Sequence, residues 1–452
     1  MKVFLAILLD SLYETLDKKI LYVVVGLSLL FIVLGASIGF EPTPFPDIVK
    51  KRWGNLTHMW SQSGMGVGFV SSPEPVMEIV SVRERKDGSY EVEARMKHPD
   101  YARRMTKLLE RERRMLAGEK VDFDDEDDQH IGGYGPPEKP EPAEPEKPLA
   151  AEEARAFFRE LAEHDLFGLQ SYMDRGDSTY EIVLRPPHPH EIVGGGDVTL
   201  FFGAVDISLE RQSYASTILE FQSNMASWAA GWAGILIAIV ITAGFFPNML
   251  QEGSIDLLVS KPIHRLVLFF AKYAGGLLFV LLNAIVLIGG LWLATSVRSG
   301  FYNFGFLATI GSVLLVFAII YSVSVFWAVM TRSTVMAILM SVVFWVVCWV
   351  IGLVLNMILM FERMGAGVPS WLVGTVKVLY YVFPSTSNFD KLNIWLVSLA
   401  PISDAAREHF LKTSQFEMST YGVSLPWSLV TSLAFAAAVL GFTAWRFHKR
   451  DF

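Results

Sequence analysis

The chain has 452 residues, of which 52% are hydrophobic and 19% charged, and its mean hydropathy is +0.38. This composition is too apolar for an ordinary soluble protein and too charged for a chain made only of membrane spans, so it predicts a polytopic membrane protein with one sizeable polar domain. Residues 41–227 hold 35 acidic and 22 basic residues, a net charge of −13, which argues against a nucleic-acid surface. The single cysteine, Cys348, excludes an intramolecular disulfide framework and a cysteine-based metal cluster.

The N-terminal region predicts an interfacial helix followed by a first span. Residues 1–19 place Leu5, Leu8 and Leu12 at helical spacing, with charged residues on the other faces. Residues 20–39 form an apolar run that is long enough to cross a bilayer, which takes about 20 residues. A signal peptide is the alternative, but this run is long for a signal-peptide core and acidic residues precede it.

Residues 40–227, which we call the inserted domain, predict an α+β fold. Within them, residues 118–149 are rich in acidic residues and proline, a composition that prevents burial and predicts a disordered insertion. Strand-like stretches on both sides of this insertion indicate one domain with an insertion and not two domains. The predicted strands are residues 76–82, 90–96, 179–184 and 198–209, and the predicted helices are residues 100–116, 150–164 and 212–225.

Residues 228–452 predict five further spans, which gives a polytopic α-helical membrane protein with six transmembrane helices and the α+β domain inserted between the first two. A polar break, the segment 248–265, separates the second and third spans. Residues 362–424 are semi-apolar and predict short interfacial or re-entrant helices. The later spans fall at residues 228–246, within 266–295, within 304–330, at about 335–361 and at 425–445.

The distribution of basic residues predicts the orientation of the chain. Six spans put both termini on one side, and basic residues such as Lys18, Arg265, Arg332 and Lys449 all fall on that side, which the positive-inside rule makes cytoplasmic. The inserted domain and residues 362–424 are then extracytoplasmic. The arginines of the inserted domain argue only weakly against this, because long loops cross largely regardless of charge.

The polar break contains an amphipathic pattern. Glu252 and Asp256 are four residues apart, Ile255 and Leu258 lie on another face, and Pro262 would end a short helix. Such a helix suits docking on a membrane surface or on a soluble partner. From spacing alone, a solvated connector between two spans is the alternative.

Three successive runs together resemble a signature of ABC type-2 transporter permeases. They are the run from Gly244 to Leu250, the run from Glu252 to Arg265, and Lys272-Tyr273-Ala274-Gly275-Gly276. The resemblance implies two partners: a soluble ATP-binding-cassette ATPase subunit, and a second permease chain in a homo- or heterodimer. It also implies a cytoplasmic coupling helix that contacts the ATPase subunit, formed by Gln251, Glu252, Gly253, Ser254, Ile255, Asp256, Leu257 and Leu258. The later segment from Phe383 to Asp390 is similar to one in permeases of the nitrous-oxide-reductase maturation type.

No Gly-x-x-x-x-Gly-Lys-Ser/Thr phosphate loop occurs in the chain, so we expect no enzymatic activity, no catalytic residue and no cofactor here, with ATP and Mg²⁺ in the partner subunit. His188-Pro189-His190-Glu191 suggests a metal site, but the spacing does not match a helical His-Glu-x-x-His arrangement and favours a loop. Gly64-Met65-Gly66-Val67-Gly68 lacks the following helix that a nucleotide-binding fingerprint requires. We therefore expect no metal site.

Lys272 is the clear ionisable residue within a predicted span, about two turns from its cytoplasmic end, where its amine would extend to the interface. Asn283 and Asn356 are expected to hydrogen-bond between helices. The pairs Gly275-Gly276 and Gly289-Gly290 are expected to allow close helix approach. With buried acids absent from the predicted spans, the energy for transport is expected from outside the membrane.

The sequence therefore predicts the membrane-spanning permease subunit of an ABC transporter in a bacterial plasma (inner) membrane. We expect an exporter that moves its substrate with ATP hydrolysed by a separate subunit, and the substrate is unknown. The alternative is a membrane receptor or assembly scaffold that senses through the inserted domain without transport.

Overall fold

A computed structural model describes the chain over residues 19–60, 69–72, 74–116, 147–165, 167–186, 196–209, 213–250, 264–363, 368–414 and 424–449. The chain forms two compact units. The polar unit comprises residues 38–218 together with 402–413, and the membrane unit comprises the remainder. The short segment 402–413, which lies between the last two spans in sequence, thus shares a unit with most of the inserted domain.

The polar unit is built on the strands β4 (Met77–Glu84), β5 (Tyr90–Met96), β6 (Gly168–Gly176) and β7 (Thr179–Arg185) and the helices α3 (Pro99–Leu116) and α4 (Ala151–His164). The four strands form an antiparallel sheet in the order β4-β5-β7-β6. Alternate residues of the inner strands are buried, Val92, Ala94 and Met96 in one and Tyr180, Ile182 and Leu184 in the other, as the two-residue period of a strand requires. These side chains share one apolar cluster with buried residues of the helices α3 and α4.

A second sheet has three strands in the order β1-β8-β9. Here β1 (Gly39–Pro42) pairs with β8 (Gly196–Leu200), which forms a hairpin with β9 (Val205–Leu209). The predicted single strand over residues 198–209 is therefore wrong: a turn at residues 201–204 breaks it. The first and last strands of the polar unit belong to one sheet, so the chain enters and leaves this unit at the same place.

Three smaller elements lie in the N-terminal part of the polar unit. The helix α2 (Phe45–Arg52) contributes Phe45, Ile48 and Val49 to the apolar cluster. The strands β2 (His58–Trp60) and β3 (Phe69–Ser71) form a separate two-stranded sheet. The predicted disordered insertion lies outside the described residues except for 147–149.

Asp165, at the end of α4, is a fully buried carboxylate with several donors. Arg52 Nε donates to its Oδ2 atom at 2.8 Å, Trp53 Nε1 donates to the same atom at 2.8 Å, and His164 Nδ1 lies 2.9 Å from Oδ1. Burial alone would raise the pKa of Asp165, but the Arg52 guanidinium and His164 hold it well below its ordinary value. The carboxylate therefore ties α2 to the end of α4.

Among the described residues, five helical segments are long and apolar enough to cross a membrane: residues 214–249, 265–299, 304–331, 334–359 and 425–449. The first of these comprises α5 (Tyr214–Asn224), a π-helical segment (Met225–Ala233), α6 (Gly234–Thr242) and α7 (Phe245–Met249). The others are α8 (Arg265–Ser299), α9 (Phe304–Thr331), α10 (Thr334–Arg363) and α14 (Leu425–Lys449). The predicted first span corresponds to α1 (Lys19–Ala36), a shorter apolar helix.

In its described part, the region predicted to hold short interfacial or re-entrant helices contains three helices of 10 to 13 residues: α11 (Ser370–Val382), α12 (Ser387–Val397) and α13 (Asp404–Thr413). The helices α11 and α12 belong to the membrane unit and α13 to the polar unit. Each is too short to cross a bilayer core, which takes about 20 helical residues.

Hydrogen bonds at the helix ends show which ends of the membrane unit lie together. At one end, Arg298 Nη1 donates to Ala36 O at 3.1 Å, and Asn303 Nδ2 donates to Gln222 Oε1 at 2.8 Å and to Val397 O at 3.0 Å. The ends of α1 and α8 thus meet, as do the start of α9 and the end of α12. We call this the Asn303 end.

At the opposite end, the start of α8 meets the end of α14. The rings of His264 and His448 stack with centroids 5.6 Å apart, and Arg265 Nη1 donates to His448 O at 3.4 Å. The rings of Phe269 and Phe447 pack beside them. We call this the His264 end.

The buried groups of α8 only partly follow the sequence predictions. Lys272 is 5% exposed, so its side chain is covered by protein, and the expected extension of its amine to the interface stays a prediction. A Cβ atom at Gly276 would lie 2.7 Å from the Tyr321 ring, whereas one at Gly289 would meet nothing within 4 Å. Close helix approach thus depends on Gly276 and on Gly290, where a Cβ atom would clash with Ile32 of α1, and not on Gly289.

Candidate functional site: two cavities beside a π-helical segment

The second span is interrupted by the nine-residue π-helical segment Met225–Ala233. A π-helix is rare because it widens the turn, and it occurs often at functional sites. Small residues accompany the widening here: Ala226, Ala229 and Ala230 are buried, and a Cβ atom at Gly231 would lie 3.1 Å from Ala226 O. The segment borders two cavities, both within the membrane unit.

The first cavity is apolar and has a volume of about 60 Å³. The π-helical segment contributes Ala229, Ala230 and Ala233 to its wall, and the rest comes from α1, α6, α8 and α9. Asn283 is one of few polar residues in the lining, and its Nδ2 atom donates to Phe279 O of its own helix at 2.9 Å. The prediction that Asn283 bonds to another helix is therefore wrong. Because an apolar cavity of this kind stays dry, it suits an apolar ligand.

The second cavity is smaller, about 20 Å³, and although most of its surface is apolar, its wall includes five polar side chains. Ser227 and Gly231 of the π-helical segment line one side, and Thr386, Asp390 and Asn393, in or next to α12, line another. The remaining wall comes from α9 and α10 and includes Ser312 and Trp345. We call this space the polar cavity.

Aromatic packing and a polar network hold the walls of the polar cavity. The rings of Trp232 and Trp345 stack with centroids 4.7 Å apart and join the π-helical segment to α10. On the other side, Asn388 accepts a hydrogen bond from Tyr380 Oη and donates through Nδ2 to Ser428 and, at 3.0 Å, to Ser385 Oγ. This network fixes the start of α12, where the cavity residues lie.

Asp390 and Lys391 are two ionisable residues inside the membrane unit that the sequence analysis did not single out. Burial raises the pKa of Asp390 to about 6, although a hydrogen bond with Ser227 and the charge of Lys391 both act to lower it. Burial likewise lowers the pKa of Lys391 to about 8, and the charge of Asp390 opposes this. Both belong to α12, outside the five helical segments that are long enough to span.

The predicted coupling helix, Gln251 to Leu258, lies outside the described residues, and so does the predicted interfacial helix before Lys19. The flanks of the coupling helix are described. Leu250 follows α7, and His264 precedes α8 at the His264 end, where the last turn of α14 carries Arg446, His448 and Lys449. His188-Pro189-His190-Glu191 and the segment from Gly64 to Gly68 also lie outside the described residues.

Several apolar helices long enough to span, packed in one unit, define a multi-pass membrane protein. A family model described as ABC-2 family transporter protein matches residues 90–452, which is most of the chain. The chain therefore belongs to the ABC-2 transporter family, and the resemblance found in the sequence is confirmed. No curated protein matches the chain. Membership of this family implies a permease role and association with an ABC ATPase.

Proposed function

We propose that this chain is the membrane-spanning subunit of an ABC exporter, and that residues Gln251 to Leu258 dock on a separate ATP-binding subunit. Membership of the ABC-2 family supports the proposal. In the same proposal, two permease chains pair, the chain itself hydrolyses no ATP, and ATP and Mg²⁺ belong to the partner. The substrate moves outward from a bacterial cytoplasm across the plasma membrane.

The geometry of the His264 end carries the docking proposal. At this end, the end of α14 meets the start of α8. The end of the second span meets the start of α10, since Gly244 lies beside Thr334. All four helix ends lie at connections on the predicted cytoplasmic side. Arg265, Arg332 and Lys449 also lie at such connections, which agrees with the positive-inside rule. The coupling segment leaves and rejoins the helices at this end. A soluble partner bound to it is then on the cytoplasmic side.

The same reasoning supports placing the inserted domain outside, with α1 as a sixth span. Ala36, the last residue of α1, lies beside Arg298 at the Asn303 end, three residues before the first strand of the inserted domain. In addition, α13 shares a unit with the inserted domain although it lies between the last two spans in sequence. Both segments therefore fit one side of the membrane.

The docking proposal is tested by reversing charge in the coupling segment. We expect the double variant Glu252→Lys and Asp256→Lys to insert in the membrane but to recover at least ten-fold less ATPase subunit from detergent-solubilised membranes, because two charge pairs in a desolvated groove become repulsive. The matched control is Glu362→Lys, an exposed acid near the end of α10. Equal recovery of an ATPase by the double variant and the wild type would contradict the docking site.

Transport direction requires a separate measurement. An exporter takes up substrate into inside-out vesicles only when ATP is supplied on the outer surface of those vesicles. Recovery of no ATPase subunit under several mild detergents would instead favour the receptor or scaffold that the inserted domain suggests.

A further inference from the structure

The polar cavity contains hydrogen-bonding groups that no described residue satisfies. Ser312 Oγ, Thr386 Oγ1 and Asn393 Oδ1 are buried in its wall, and none of the three has a hydrogen-bond partner among the described residues. The three residues are 4%, 8% and 3% exposed. Folded proteins rarely leave such atoms unpaired, because each loses its hydrogen bonds to water on burial, so three of them around one space point to an occupant.

The chemistry of the wall identifies that occupant. Asn393 Nδ2 donates to Ser227 Oγ at 3.3 Å, so its amide oxygen remains as an acceptor. Two hydroxyl groups offer one donor each, and the Asp390 carboxylate adds a second acceptor. A water molecule accepts two hydrogen bonds and donates two, which matches this set. The volume of about 20 Å³ exceeds the roughly 10–15 Å³ that one water needs.

A metal cation fits the same wall less well. It would use only the lone pairs of the two hydroxyl groups and leave their hydrogens without acceptors. The positive charge of Lys391, which acts on Asp390, would also oppose a second cation nearby. Hydrogen-bond complementarity and charge both favour water.

We propose that the polar cavity binds one water molecule and that Asp390 exchanges a proton with it, which makes this cavity a proton-binding site in the membrane unit. In the exchange, a hydronium ion formed at the cavity transfers one proton to a carboxylate oxygen of Asp390. A new O–H bond forms on the acid, and a neutral water molecule remains. The site does not depend on ATPase docking and so goes beyond the proposed function.

The electrostatic surroundings of Asp390 support a proton exchange near neutral pH. Its pKa is raised to about 6 by burial. Lys391 is the charged group that acts on it among the described residues, and the other cavity residues, from the π-helical segment, α9 and α10, are uncharged. The helix α14, which also packs against α12, brings Ser428 to Asn388 and Ser432 to Ser385, both neutral.

Infrared difference spectroscopy of the full chain in detergent tests the proton. Spectra are recorded between about pH 4 and pH 8, and the spectra of Asp390→Asn are subtracted from those of the wild type. We expect a protonated carboxyl C=O band that disappears with a midpoint near pH 6. The control variant, Asp404→Asn, removes an exposed acid with 98% side-chain exposure and should retain the Asp390 band. A midpoint near pH 4 for Asp390 would overturn the proton site.

Two further measurements test the water. In Thr386→Val, which keeps the size of the side chain and removes its hydroxyl, we expect a higher midpoint for Asp390, because the water that solvates the carboxylate loses a donor. An unchanged midpoint would overturn the bridging water. The melting temperature in sodium, potassium and choline chloride at equal ionic strength should be the same, and a rise with one metal ion that Asp390→Asn abolishes would show that a cation occupies the cavity instead.

Discussion

Each unit of the protein contains an aspartate removed from solvent, Asp165 fully and Asp390 in large part, and the two differ in what surrounds the carboxylate. In the polar unit, Asp165 has a guanidinium, an indole N–H and an imidazole within hydrogen-bonding distance. In the membrane unit, Asp390 has a hydroxyl and a neighbouring lysine whose own pKa is lowered by burial. Burial penalises the charge of both, yet the pKa of Asp165 is lowered and that of Asp390 is raised.

The comparison indicates that the charged partners and donors around the carboxylate, and not burial itself, decide what a buried acid does. A carboxylate with its donors in place remains charged and stabilises the fold. A carboxylate with too few donors has a pKa close to neutral pH. The Asp390 carboxylate also lies beside unsatisfied oxygens, which is the arrangement of a site that exchanges protons. Asp165 is therefore structural, and Asp390 is the candidate for function.

The largest effect is expected from Asp165→Ala. The change leaves Arg52 and the indole of Trp53 without their acceptor, and removing one partner of a buried ion pair costs about 3–5 kcal/mol. Pulse proteolysis of the full chain in urea measures the loss in the polar unit. Asp177→Asn, in the β6–β7 turn at φ 53°, is the control and should change stability little, since asparagine adopts this conformation readily. A loss below about 1 kcal/mol for Asp165→Ala would remove the contrast between the two acids.

At Asp390 we expect a smaller effect on folding stability, with a pH dependence opposite in sign to that of Asp165. Its pKa is raised in the folded protein, so the stability it contributes is present below about pH 4 and is lost as the pH rises through about 6. The shift of about two pKa units corresponds to roughly 3 kcal/mol at most. Melting temperatures of the detergent-solubilised chain should fall over this range in the wild type more steeply than in Asp390→Asn. Parallel curves for the two proteins would contradict the raised pKa.

Periodicity and length predicted most of the fold. The fourth span was expected within residues 304–330 and the helix is Phe304–Thr331, because a long apolar run in a membrane has little alternative to a helix. The strand β6 was missed because its residues are mostly exposed and polar, so no alternation marks it. The β8–β9 turn was missed because Phe201 and Phe202 take positive φ there in place of the usual glycine or asparagine.

The candidate site was much less predictable than the fold. Asp390 stands beside Lys391 in a stretch that reads as a short interfacial helix, and its burial comes from the packing of α12 against α9, which no local pattern encodes. The π-helical segment has no sequence signature beyond small residues and tryptophans. The segment from Phe383 to Asp390, noted for its resemblance, was the one signal that pointed to this region.

The smallest expected effect distinguishes a hydrated cavity from a dry one. In Ser312→Ala, loss of one donor to the bound water should lower stability by about 0.5–1 kcal/mol. The control, Ser322→Ala, lies in the same helix and is also buried, but its Oγ atom already donates to Ile319 O, so it has no part in the cavity. In a dry cavity the hydroxyl of Ser312 is an unpaired polar group, and its removal would raise the melting temperature of the detergent-solubilised chain. The sign of the Ser312→Ala effect, measured against Ser322→Ala, therefore shows whether Asp390 faces water.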